Sequence, residues 1–347
     1  MNEEYINLNQ KKEWRAVDFC KLICAFLVVG IHYAAFSDIS VELSFFVRNT
    51  VNRLAVPFFF IASGFFFESK VKSWEKVSAY IKRLFCLYFI YTIIYMPQII
   101  LENYTENGQV FIRRFFLKGS YKQLWFFVGL ITASLLLYFL VNKLKVDDGK
   151  LLLFVSCLYI IGVLGNTYTQ FFSNMPMFQK ILKIYFENFE TTRNGLFFGL
   201  PFFSIGYLIK KYSYKIHKHS YGIWLLVFFC VMVVETGYSV KKWGMSDRDM
   251  MFLLLPVAVC LFLFISFKNG KGNHSVIALK SRKVSTLIFG FHCFVGFWLD
   301  MVCRKIGIEH LQSLQRYIMI VMLTIILSFL IIKLSEMRKF TWLQYLY

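Results

Sequence analysis

Charge is scarce in this chain. Asp, Glu, Lys and Arg make up 17% of its 347 residues, where a soluble surface of that size needs roughly a quarter. Acidic residues are scarcer still, 20 against 39 Lys plus Arg. There is no CxxC pair, internal repeat, low-complexity tract or long linker. The shortage of charge excludes a string of soluble domains, and the missing repeats and polar tracts exclude coiled coil, collagen and disorder. No small-residue cleavage site follows the first apolar run, and Met1 to Arg15 mixes three Glu with Lys11, Lys12 and Arg15, so no cleaved leader is expected.

What is present is apolar: 58% hydrophobic residues, 41 of them Phe, and a mean hydropathy of +0.56. A net charge of +19 would suggest nucleic acid in a soluble domain. Here the basic residues stand between apolar runs, which is the topology signal of a bilayer protein and gives no nucleic-acid partner. The eight Cys, at 20, 24, 86, 157, 230, 260, 293 and 303, nearly all fall in apolar runs without a His at ligand spacing and read as small lipid-buried or bundle-buried side chains, with no metal.

Ten runs come near the ~20 residues that cross a ~30 Å hydrocarbon core. They are Val17 to Phe36, Phe45 to Phe67, Tyr80 to Leu101, Leu124 to Val141, Leu151 to Leu164, Asn194 to Ile209, Gly222 to Tyr238, Met250 to Phe267, Ser285 to Val302 and Tyr317 to Leu334. The aromatic segment Phe171 to Phe189 reads as interfacial or re-entrant. Alternating the connections puts the basic stretches Lys70 to Arg83, Lys143 to Lys150, Lys210 to Lys218, Lys268 to Lys283 and Lys333 to Lys339 on one side, which the positive-inside bias makes cytoplasmic. The expected fold is all-α: one domain over 1–347, a polytopic integral membrane bundle of about ten transmembrane helices. Both termini are cytoplasmic, as segments 1–16 and 335–347, and the localisation is a multi-pass cell (cytoplasmic) membrane protein.

The first helix carries Asp18, Lys21 and His32 in an apolar setting. Eleven residues at ~100° each return to within ~20°, so Lys21 and His32 share a face about 16 Å apart, with Asp18 one turn from Lys21. Ionisable groups at membrane depth usually line a bundle interior or an aqueous cavity. The alternative on this helix alone is a structural Asp18–Lys21 pair with His32 at the opposite interface. His32 suits a general base for a hydroxyl nucleophile, and Lys21, Arg53 and Arg193 suit oxyanion or phosphate charge. Arg53, Arg193 and His32 map near outer helix ends, and Lys21 lies nearer the inside. Glu235 and Asp300 read as interfacial, Pro57, Pro201 and Pro256 as kinks, and Trp125, Trp224, Trp243 and Trp298 as interfacial belts. His217 and His219 read as a solvated basic patch.

These residues carry a resemblance. Arg15, Asp18, Lys21 and His32 stand at the spacing of the opening pattern of the acyltransferase family 3 membrane proteins, in which a basic residue, ten positions and His follow an Arg and an Asp. Arg53-Leu-Ala-Val-Pro57-Phe-Phe-Phe-Ile-Ala-Ser63-Gly64 resembles the family's second-helix signature. Leu124-Trp125-Phe126, the segment Arg193 to Gly206, and Ser285 to His292 resemble its later patterns. Two departures stand out: Arg83-Leu-Phe-Cys86 keeps one Arg of an Arg-x-x-Arg pair, and Phe289 replaces a Tyr before His292. The chain also stops a few residues past its last helix, where many larger relatives carry an extra esterase-like domain.

The resemblance implies transfer of an acyl group, most simply acetyl, from cytoplasmic acyl-CoA to a hydroxyl of an envelope, capsular or exported polysaccharide. His32, Lys21 and Arg53 would be catalytic, and Asp18, Arg83, Arg193, His292, Ser63 and Ser285 would bind donor or acceptor. Acyl-CoA is then a co-substrate, with no bound cofactor, and the bilayer and a glycan are the partners. The alternative is a substrate-delivery module, similar to the membrane half of vancomycin-resistance serine racemases.

Overall fold

The computed structural model describes residues 14–104, 107–216, 220–268, 276–308 and 311–347. His217 and His219 lie outside them. Among the described residues there are thirteen α-helices and no strand: α1 (Arg15–His32), α2 (Val41–Asn49), α3 (Ala55–Val71), α4 (Trp74–Leu101), α5 (Gly108–Leu117), α6 (Trp125–Tyr138), α7 (Asp148–Leu164), α8 (Pro176–Phe189), α9 (Leu200–Lys211), α10 (Tyr221–Trp243), α11 (Leu254–Phe267), α12 (Val276–Lys305) and α13 (Ser313–Ser335). Eleven of them overlap the ten apolar runs, with α2 and α3 sharing the second, and α5 and α8 are additional. Six segments are long and apolar enough to cross a membrane: Val41–Val71, Trp74–Leu101, Lys122–Lys143, Tyr221–Trp243, Leu279–Lys305 and Ser313–Ser335. Neither α5 nor α8 buries any residue, so the aromatic stretch read as interfacial or re-entrant forms a surface helix.

Several expectations need correction. The second run is not one continuous helix: it breaks into α2 and α3 around a tight 3-10 turn at Asn52–Leu54, where the polar sequence Asn52-Arg53 turns inward and is buried. Pro57 and Pro256 stand in the first turn of α3 and α11, where a missing N–H is tolerated, and Pro201 stands where a π-helical turn at Gly195–Gly199 passes into α9. Pro97 is the proline inside a helix. The eight cysteines, all free, stand as expected: five are buried in the bundle, and Cys86, Cys157 and Cys230 lie on its outer surface, where lipid would cover them. Glu235 is a structural cap, accepting from the Tyr168 hydroxyl at 2.5 Å and from the backbone N–H groups of Phe252 and Leu253 at 2.8 and 3.0 Å, just before α11 begins.

The middle of the bundle is set by close packing of α3 on α9. A Cβ on Gly64 would come within 1.9 Å of the Phe203 carbonyl oxygen, and one on Gly206 within 2.0 Å of the Ile61 carbonyl oxygen. Small residues let helix backbones approach closely where lipid offers no hydrophobic drive for association. The two glycines that closed the second-helix and Arg193 to Gly206 patterns thus serve one contact. Gly64→Ala is expected to cost about 1–3 kcal/mol by overpacking and to lower the thermal unfolding midpoint in detergent. Gly108→Ala, with nothing within 4 Å of the added carbon, serves as the unaffected control.

The antiparallel run of α1 and α3 gives the bundle two chemically distinct ends. Trp14, at the start of α1, packs on Phe65 and Phe66 late in α3. At the opposite end, the last turn of α1 with His32 lies against the Asn52–Leu54 turn that carries Arg53. The exposed residues of α1 are Phe19 and Ile23, so its charged and polar groups do not occupy the outward stripe.

Candidate active site

At the His32 end lies a small cavity of about 30 Å³, room for roughly two water-sized groups. His32, Arg53, Gln123, Trp125, Arg193 and Asp249 supply its polar lining, and Val28, Val56, Phe126, Phe198 and Phe289 close it. Arg53 arrives on the 3-10 turn before α3, and Arg193 on the loop before α9. Asp249 comes from the loop between α10 and α11. One oxygen of Asp249 serves both guanidiniums, with Oδ1 2.7 Å from Arg53 Nη1 and 2.9 Å from Arg193 Nη1. Burial pushes the Asp249 carboxyl up, but Arg193 and Arg53 outweigh it and hold it below the usual carboxylate range.

Asp249 was not among the residues singled out from sequence. Its loop, Asp247-Arg248-Asp249, is stitched down residue by residue: Asp247 pairs with Arg48 at 2.9 Å, and the Arg248 backbone N–H donates to Asn49 Oδ1 at 2.8 Å. The Arg248 guanidinium donates to the Gly244 carbonyl at 2.8 Å. An acid placed by a loop leaves no helical periodicity to read. Trp125, expected in an interfacial belt, is instead 9% exposed and lies under the Arg193 guanidinium at 4.9 Å, a cation–π contact that orients it.

Gln123 is held from behind. Its amide donates to the Tyr95 hydroxyl at 2.6 Å and to the Gly290 carbonyl at 3.3 Å, which leaves Oε1 buried and unpartnered. Arg53 Nε and Arg193 Nε are likewise buried without partners. Two cationic donors and one acceptor, all unsatisfied, therefore belong to residues that line one cavity together with an imidazole. Buried polar groups in this state mark a place where a ligand or water completes the hydrogen bonding.

His292 does not line the cavity but sits next to it, its ring 5.1 Å from that of His32. Its Nδ1 faces the carbonyls of Ile288 and Phe289 at 3.0 and 2.9 Å, so that nitrogen carries the proton and Nε2 is left a buried, unpartnered acceptor. With Cys293 the two histidines form the three-ligand grouping among the described residues, but the donor atoms spread over 4.8 Å, wider than the about 3.5 Å between tetrahedral zinc ligands.

The remaining sequence candidates gather at the other end. A cavity of about 240 Å³ is lined by Lys21, Ser63, Tyr80, Arg83, Arg282 and Ser285 among others. It adjoins a wider one of about 720 Å³ that adds Asp18, Lys70 and Lys283. Asp18 pairs with Lys21 at 3.4 Å, and Lys21 lies 4.8 Å from the Phe66 ring. Five cations thus face this vestibule beside the Asp18 carboxylate, and one of them, Arg83, donates to the main-chain oxygen of Tyr347 at 3.2 Å. Arg282, near the start of α12, supplies the second guanidinium that Cys86 does not. Lys21 and His32 do not share one open passage, because Phe126 and Phe289 stand between the two cavities and line both.

Comparison with known proteins places this geometry in context. The model of acyltransferase family 3, described as an acyltransferase domain, matches residues 14–333. Similar curated proteins include an amino-acid racemase of Enterococcus faecalis, 28% identical over 96% of this chain and 47% of its own length. A serine/alanine racemase of Enterococcus gallinarum is 26% identical over 95% and 47%. The chain spans about half the length of these relatives. No solved structure matches it.

Proposed function

Because this chain belongs to the acyltransferase family 3 of membrane proteins, we propose that it moves a short acyl group, acetyl in the simplest case, from cytoplasmic acyl-CoA to a hydroxyl of an envelope, capsular or exported polysaccharide. In this reading ten helices cross the cell membrane, both termini and the Lys21 vestibule face the cytoplasm, and the His32 cavity faces outward. The observation that carries it is the pairing of two cavities back to back. One is small, holds an imidazole and has unsatisfied cationic donors; the other is large and basic, and the two share a wall.

The chemistry follows from the groups present. His32 takes the proton of the acceptor hydroxyl, whose oxygen attacks the thioester carbon. Negative charge developing on the carbonyl oxygen meets Arg53 Nε or Arg193 Nε, donors already desolvated and held by Asp249. Gln123 Oε1 accepts from a neighbouring hydroxyl of the acceptor and aligns it, which leaves the attacking hydroxyl's own proton for His32. Collapse breaks the C–S bond, and the CoA thiolate leaves, taking up a proton. His292 contributes no proton of its own; its bare Nε2 gives an N–H of His32 somewhere to point, so the other His32 nitrogen is free to act as base. On the cytoplasmic side Lys21, Arg83, Arg282 and Lys283 hold the donor's phosphates as charge-assisted partners.

The donor assignment is tested by Arg282→Gln. The acyl-CoA KM is expected to rise about tenfold, with kcat within a factor of two, because the contact is made equally in ground and transition states. Reversed behaviour, kcat falling at constant KM, removes Arg282 from donor binding.

A second reading is favoured by the names of the relatives, which are amino-acid racemases. The chain would then deliver an amino acid to a partner activity. Uptake of labelled serine into proteoliposomes that contain no acyl-CoA supports that reading; acyl-CoA-dependent transfer with no such uptake supports the first.

A further inference from the structure

The wall between the two cavities is made of three phenyl rings on three different helices: Phe59 of α3, Phe126 of α6 and Phe289 of α12. The Phe126 and Phe289 centroids are 5.0 Å apart, and Phe59 lies 6.0 Å from each. The rings meet edge-on or tilted and close a triangle. Phe127 and Phe60 back it up, 6.0 Å from Phe289 and 4.8 Å from Phe126 respectively. A partition held by packed helices is positioned more tightly than one on loops.

We propose that the Phe59–Phe126–Phe289 partition sets the length of the acyl group this protein can use, admitting two-carbon acyl groups and rejecting those of six carbons. The inference rests on the acyl-transfer reading above and goes beyond it in naming the residues that select the donor. The cavity sizes argue for it. A nucleotide-bearing donor finds its volume and its counter-charges in the 240 and 720 Å³ spaces on the Lys21 side. Only the thioester and its acyl group need pass the rings, into a space of about 30 Å³ beside His32. Two-carbon acyl groups ask little beyond a ring rotation. Each further methylene has to be placed against Val28, Val56 and Phe198, which already close that cavity, and inserting methylenes into packed surroundings is unfavourable. Phe289 is the determinant with most leverage: it lines both cavities and also abuts His292, with ring centroids 6.3 Å apart, so trimming it opens the route without removing a charged group.

The test needs no acceptor. Full-length protein in detergent is exposed to 2-bromoacetyl-CoA or 2-bromohexanoyl-CoA, and alkylation is followed by peptide mass spectrometry. A His32 ring nitrogen displaces bromide from the carbon beside the thioester carbonyl, and the ring loses its other proton to solvent. With each rate divided by that reagent's rate towards free imidazole, which removes the lower intrinsic reactivity of the secondary bromide, native protein is expected to be labelled at His32 by the two-carbon reagent at least about 100-fold faster than by the six-carbon one, a ratio within reach of steric exclusion by a tight pocket. Phe289→Ala is expected to shrink the ratio below about tenfold, and Phe289→Trp to slow even the short reagent. Phe289→Leu reports the same direction of change if the alanine variant does not purify as a monodisperse species. A six-carbon reagent that labels native protein and Phe289→Ala equally well overturns the partition while leaving the donor route intact. If neither reagent labels His32 in any form, the donor does not reach His32, and the acyl-transfer reading and the partition fall together.

Discussion

Replacing His32 by Ala is expected to lower acyl transfer by about 10²–10⁴-fold, the usual contribution of a positioned general base, while leaving the protein in the membrane at normal abundance. The reasoning is local. His32 ends α1, lines the small cavity with Arg53 and Arg193, and is not used elsewhere as an ion-pair partner. Its loss therefore removes chemistry without stranding a buried charge. The measurement is the base-labile acyl ester content of extracted envelope glycan, compared between native and variant cells with protein level checked by immunoblot. Ester content that stays within twofold of native, with the variant present, removes His32 from the reaction.

Replacing Asp249 by Ala is expected to be costly for folding as well as for activity. Arg53 is 6% exposed, and Asp249 is the acid that faces both it and Arg193. Without that acid the buried Arg53 guanidinium is left uncompensated beside the half-buried one of Arg193, and breaking a buried pair by removing one partner costs about 3–5 kcal/mol. Thermal unfolding in detergent is expected to show a fall in midpoint larger than for any single apolar truncation nearby. Adding Arg193→Gln to the Asp249→Ala background should recover part of the loss, since it removes one of the uncompensated charges. The pH dependence has a fixed sign. The Asp249 pKa is depressed in the folded state, so its contribution is fully present above the ordinary carboxylate pKa and is lost as pH falls below that range through the depressed value. A double variant less stable than Asp249→Ala alone contradicts the account of this cluster.

Much of the framework was legible in the amino-acid sequence, for identifiable reasons. Bilayer thickness fixes the length of an apolar run, so each run is helical, although the turn at 50–54 divides one of them and only six segments are long and apolar enough to cross a membrane. Helical periodicity kept Asp18, Lys21 and His32 off the exposed stripe of α1. The spacing of Gly64 after Ser63, and of Gly206 after Arg193, marked a contact whose partner only the fold reveals. What stayed hidden has equally plain causes. Asp249 and Gln123 sit outside or at the edge of apolar runs, where no periodicity flags them, and their partners lie on distant segments of the chain. Arg282 reads as one more loop cation until α12 carries it to the vestibule. Trp125 looks like any interfacial Trp until Arg193 stacks on it. The ring partition was invisible for the opposite reason: in a chain with 41 Phe, no single Phe stands out.

In the proposed reaction acyl groups cross from a cytoplasmic donor, past the ring partition, to a hydroxyl on the other side through His32. Sealed membrane vesicles of known orientation, with isotope-labelled acetyl-CoA confined to the cytoplasmic face, test it directly. The account predicts that label appears as base-labile ester on the opposite face in native vesicles and falls by about 10²-fold or more in His32→Ala vesicles. Label that fails to cross in native vesicles, or that crosses equally well without the imidazole, contradicts it.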